Sequence, residues 1–138
     1  MKTSIVIFIL LLSPLSLSQQ FESRSYEFAF NRIEQAFNTA SVSSIEDLFS
    51  STVRLRIEDS LYKDVTDAEA QSLLNEYFQS KKSIKFRFIG NMNEGTSNGV
   101  LTYLTDKKIV EINVDVYLNR ALISAINISN LPSSTALY

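Results

Sequence analysis

From Ile109 to Leu118 the chain alternates without a break. Val110, Ile112, Val114, Val116 and Leu118 fall on one side of an extended strand, and Glu111, Asn113, Asp115 and Tyr117 on the other. Successive side chains of a strand point to opposite faces. One face of this strand must be covered and the other can meet water, the pattern of an antiparallel sheet with a one-sided core. The rest of the chain must supply a layer for the apolar face. With no Cys among 138 residues, that layer is held by packing and not by bridges.

The cover lies upstream. From Arg24 to Ala40 the residues Tyr26, Phe30, Ile33, Phe37 and Ala40 recur at spacings of three and four, with Ala29 and Ala36 on the same side. That spacing predicts an amphipathic helix with Glu27, Asn31, Arg32, Glu34 and Gln35 on its wet side. Ser43-Ser44-Ile45-Glu46 reads as a capping box opening a short second helix. Val53 to Ile57 alternates as a strand, Glu58-Asp59-Ser60 turns, and Leu61 to Val65 returns. Thr66-Asp67-Ala68-Glu69 is a second capping box, and the helix it opens has Ala70, Leu73, Leu74, Tyr77 and Phe78 on one face. Ile84, Phe86 and Phe88 then alternate with Lys85 and Arg87. Asn91 to Gly99 reads as a turn region, Val100 to Thr105 as a strand, Asn119-Arg120 as a two-residue hairpin and Ala121 to Ser129 as the last strand. The expected class is α+β, with three N-terminal helices packed on a curved antiparallel sheet. The pattern leaves a cone and a cystatin-like wrap equally open.

Residues 1–18 do not read as part of that domain. Lys2 precedes an unbroken apolar run from Ile5 to Leu12, and Pro14, Ser16 and Ser18 follow. A charged start, a short apolar helix and a small-residue end make a secretory signal peptide, with cleavage expected after Ser18. Eight residues fall well short of the roughly 20 that span a bilayer, so no membrane span is expected after cleavage. The expected organisation is a leader at 1–18, one domain at 19–130 and a flexible C-terminal tail at 131–138. The expected location is outside the cytoplasm, periplasmic or secreted.

Composition narrows the chemistry. There is no His, which excludes the Ser-His-Asp triad, and without Cys or His there is no thiol nucleophile or Cys/His zinc site. Thirteen basic residues against fifteen acidic ones give no basic footprint for nucleic acid. Asp59, Asp64 and Asp67 lack the glycine and closing glutamate of an EF-hand loop, and Gly90 to Gly99 lacks a phosphate-loop ending. No metal and no cofactor are expected.

The run Ile33-Glu34-Gln35-Ala36-Phe37, then Leu48-Phe49, Val53-Arg54-Leu55, Asp67-Ala68-Glu69-Ala70-Gln71 and Tyr77-Phe78, resembles the domain-of-unknown-function 4783 family, small exported proteins of Bacteroidetes. The resemblance spans about Tyr26 to Ile128. It implies a fold similar to nuclear transport factor 2, a cone-like sheet wrapped around a long first helix. It brings no agreed activity and no catalytic set to transfer, and folds of this type serve isomerases, dehydratases, binding modules and dimerising adaptors alike.

Two functions follow as expectations. The first is a non-enzymatic binding or protein-interaction module. Its small apolar pocket would be lined by Phe37, Phe49, Tyr77, Phe78, Phe86 and Phe88 and would take a small apolar ligand. The outer sheet face, with Glu111, Asn113, Asp115 and Tyr117, would pair in a homodimer. The second is a cofactor-free isomerase or dehydratase with Asp115, or less favourably Asp64, as base and a tyrosine such as Tyr77 polarising a carbonyl. The alternation sets Asp115 on the side away from the helices, toward solvent or a subunit contact, which weighs against the second. Tyr62, Tyr103 and Tyr117 are further hydroxyl donors. Arg54 with Arg56, and Lys85 with Arg87, read as outward-facing strand cations.

Overall fold

A computed structural model describes residues 25–130 of the chain. The leader at 1–18 and the tail at 131–138 fall outside the described residues. Helix α1 covers residues 25–38. A 3-10 turn, Ser43–Leu48, leads into β1 (Phe49–Ile57) and β2 (Ser60–Thr66). Helix α2 (Asp67–Gln79) follows, and then β3 (Lys82–Phe88), β4 (Thr96–Leu104), β5 (Ile109–Asn119) and β6 (Leu122–Ser129). The six strands form one sheet in the order β2-β1-β6-β5-β4-β3.

The alternation holds along β5. Ile112, Val114 and Val116 are buried on the inner face, level with Leu101 and Gly99 of β4 and with Ile126 and Ile128 of β6. Both helices lie over this side. Phe30 meets Phe88 with ring centroids 5.1 Å apart, and Phe37 meets Phe86 and Phe78 at 4.9 and 5.0 Å. Gly99 makes room for this packing, because a Cβ there would come within 2.6 Å of the Phe86 ring.

Five expectations are corrected. The helices are not three N-terminal ones: α1 and a 3-10 turn precede the strands, and α2 lies between β2 and β3. The capping box at Ser43 does not form. Val42 occupies the cap position with no side-chain bond, the Ser43 hydroxyl pairs with that of Ser41 at 2.9 Å, and Ile45 leaves helical geometry. A serine run offers local hydroxyl bonds that compete with a helix. At α2 the Thr66 hydroxyl does accept from the Glu69 amide at 3.2 Å. The sheet is mixed, since β1 pairs parallel with β6. Alternation reports which face a residue takes and is silent on which strand lies alongside. Finally, β4 starts at Thr96, inside the expected turn region, and the β5–β6 turn falls on Arg120 and Ala121, one residue later than read.

Both sheet edges are modified. Each edge strand carries one residue of positive φ, Asp64 in β2 and Ser83 in β3, at a break in register. Such bulges twist an edge away from further pairing. On β3 three outward backbone groups are also taken. Asn38 of α1 donates to the Phe86 carbonyl at 2.8 Å and accepts from the Phe86 amide at 2.7 Å, and Glu34 accepts from the Phe88 amide at 2.9 Å.

Candidate functional site

The aromatic residues expected to line a pocket stand together in the core. Phe37, Phe49, Tyr77, Phe78, Phe86 and Phe88 are all buried. Phe86 and Phe88 touch edge to face at 4.7 Å, and Tyr77 and Phe78 at 6.1 Å. Aromatic pairs favour such tilted contacts at 4.5–7 Å. The rings therefore meet one another across the space between helices and sheet. Phe86 also borders an open cleft of about 350 Å³ shared with Lys85, Arg87, Val100, Thr102 and Glu111.

The outer face has its own order. Cross-strand registers place Arg56 of β1, Asn127 of β6, Asp115 of β5 and Asn98 of β4 at one level. Their common face is the one opposite Val114 and Val116. Asp115 keeps the expected direction but not the expected solvent contact: it is 2% exposed, and Asn127 is fully buried. Asp115 lies mid-sheet, with an asparagine level with it on each neighbouring strand. Asn127 donates to an Asp115 carboxylate oxygen at 3.4 Å, a long bond. The side-chain oxygen of Asn127 and Nε of Arg56 are buried without a hydrogen-bond partner. Along the same face Glu111 is exposed, and Asn113 and Tyr117 are half-buried.

Asp115 and Tyr77 do not share a site, because Tyr77 packs with Phe78 under α2 on the inner side. Asp64 sits at the β2 bulge, exposed, in an open cleft of about 360 Å³ with Thr52, Val53, Arg54, Tyr117, Ser124 and Ala125. Among the described residues no three Asp or Glu side chains gather as a metal site would require, and no helix is long and apolar enough to cross a membrane.

A cluster that the strand and helix patterns did not single out lies where α2 ends. The Lys81 ammonium rests over two rings, 4.6 Å from the centre of Tyr103 and 5.3 Å from that of Tyr77. Glu58 stands 3.8 Å from it, beyond hydrogen-bond length. The Tyr77 hydroxyl is buried and unpartnered. Burial, and then the negative charge of Glu58, push its pKa well above the ordinary tyrosine value. Lys81-Lys82 reads in sequence as a plain helix ending. What the sequence does not show is that the β1–β2 turn and the end of β4 bring Glu58 and Tyr103 to the same place.

Comparison with known proteins places this geometry. Residues 30–129 match the family described as Domain of unknown function (DUF4783). No curated protein matches the chain. Among solved structures, a DUF4783 family protein from Bacteroides fragilis YCH46 is 20% identical, with a TM-score of 0.55 over 72% of this chain and 96% of that one. The protein Rd1NTF2_04 with long sheet reaches a TM-score of 0.64 at 14% identity, over 75% of this chain and 98% of its own. A ketosteroid isomerase candidate from Kribbella flavida DSM 17836 reaches 0.60 at 9% identity, over 77% of each chain. At these identities the likeness shows the fold alone, an α+β fold like nuclear transport factor 2, and gives no support to a cystatin-like wrap. The family match covers most of the chain, and the chain belongs to the DUF4783 family.

Proposed function

We propose that this domain is a non-enzymatic interaction module that pairs with a second copy of itself through the outer sheet face. The observation that carries the reading is the level row Arg56–Asn127–Asp115–Asn98. Basic side chains, Arg54 and Arg56, stand on β1, and acidic ones stand two strands away on β5, Glu111 exposed and Asp115 buried beneath the surface, where its charge still sets the sign of that strand. A two-fold axis along β6 would set β1 of one copy over β5 of the other, opposing unlike charges twice, as a self-complementary interface requires. The edges favour the face as the route of association, because bulges and the side chains of α1 occupy them.

The contact of the core aromatic rings supports a closed cone over an open apolar pocket. The isomerase reading draws on fold likeness to the ketosteroid isomerase candidate, and its two proposed groups lie on opposite sides of the sheet. We place the module outside the cytoplasm on the leader pattern of residues 1–18.

Sedimentation equilibrium tests the pairing. The domain is expected to be a dimer, with Arg56→Glu monomeric and Lys107→Glu, on an exposed loop, unchanged. A wild-type monomer, or an Arg56→Glu dimer of equal affinity, contradicts it.

A further inference from the structure

Lys81 pairs its charge loosely and leaves its hydrogen-bond donors unused. Its side chain is only 20% exposed, yet its contacts are two ring faces and one carboxylate at 3.8 Å. Among the described residues no acceptor lies within hydrogen-bond reach of the ammonium. Ring faces and a loose carboxylate hold a cation in place but leave its donors unused. Beside it, between the end of α2 and the start of the β3–β4 pair, is an open cleft of about 340 Å³. Ser80, Lys81, Lys82, Tyr103, Leu104, Thr105 and Asp106 line it. The Ser80 hydroxyl already donates to the Tyr77 carbonyl, and that of Thr105 to the Lys108 carbonyl. The side-chain donors left to a ligand are the ammonium groups of Lys81 and Lys82 and the Tyr103 hydroxyl.

We propose that this cleft binds a small carboxylate with a flat apolar body. The carboxylate would accept from Lys81, with Lys82 adding charge at the rim. The Tyr103 ring and Leu104 would take the apolar body. Asp106 in the wall and Glu58 behind Lys81 limit the site to a single negative charge, since a dianion would meet two carboxylates at close range. The site lies away from the outer-face row, so it stands or falls separately from self-association.

The test is calorimetric titration of the domain with sodium benzoate, and with inorganic phosphate for comparison. Benzoate is expected to bind one per chain and more tightly than phosphate. Lys81→Met, which keeps the length of the stem, is expected to lower affinity about tenfold, the value of one hydrogen bond to a charged group. Lys81→Arg is expected to restore most of it, and Lys63→Met, on β2, to change nothing. Thermal melts of each variant verify folding. No benzoate heat, tighter phosphate binding, or full affinity in folded Lys81→Met would each overturn the assignment.

Discussion

Asn38 performs the work of a missing strand. Its amide presents a donor and an acceptor to the Phe86 backbone and so completes the outer ladder position of β3. Asn38→Ala strips both bonds and is expected to cost about 1–2 kcal/mol in chemical denaturation, and Asn38→Asp, which keeps the acceptor alone, about half of that. A second contact ties α1 to the 3-10 turn. Arg32 donates to both Asp47 carboxylate oxygens, at 3.0 and 2.7 Å, and to the Ser44 carbonyl at 2.6 Å. The Arg32 hydrogen bonds hold the Asp47 pKa below the usual carboxylate value. A group depressed in the folded state contributes stability above its unfolded pKa and loses it as pH falls through the folded one. The stability gap between wild type and Arg32→Met is therefore expected to shrink below about pH 4. A gap that stays constant from pH 7 to pH 2 would exclude the pair as its source. Neither contact is legible in sequence. Asn38 and Arg32 read only as the polar side of a helix, and their partners are 48 and 15 residues away.

At the scale of elements, period and direction read well, and the short connections read less well. The strands and both long helices follow from apolar spacing, because burying one face of each is the main driving force. The turns follow backbone rules that composition only partly reveals. Arg120 and Ala121 both take positive φ, 53° and 61°, the geometry of a type I′ hairpin turn. Neither residue is the Gly or Asn that normally signals it, so the register came out one residue early. An L-residue with a Cβ pays about 1 kcal/mol for that region. Ala121→Gly is expected to raise stability by about 0.5–1 kcal/mol, read as a higher denaturation midpoint with an unchanged slope. A lower midpoint would mean that the Ala121 methyl packs productively. The 3-10 turn illustrates the opposite error: Ser43 and Glu46 fit the capping pattern, but the chain there is too short and too serine-rich to hold an α-helix.

Across the whole molecule, the alternation around Asp115 carries both the success and the limit of the sequence reading. It put Asp115 on the outer face, away from the helices, and the structure agrees. It could not show that Asn98 and Asn127 would stand level with it, since lateral neighbours come from strand order and the parallel β1–β6 pairing. The Lys81 cluster is not legible in sequence for the same reason, with Glu58, Lys81 and Tyr103 arriving from three separate places in the chain. One consequence of the topology bears directly on function. With the edges bulged or bonded and the inner face under the helices, the outer face is the one we propose meets a second copy, through the exposed side chains that flank its buried centre at Asp115 and Asn127. Two sheets packed face to face lie about 10 Å apart. Ala125 lies on the outer side of β6, where the two-fold axis is proposed to run, with 8% of its surface exposed, and the chain has no native Cys. The decisive measurement is cross-linking of Ala125→Cys with a bis-maleimide of about that span. The account predicts a covalent dimer in high yield, and none from Glu76→Cys on the exposed side of α2. An equal yield from both positions, or no dimer from Ala125→Cys, would contradict it.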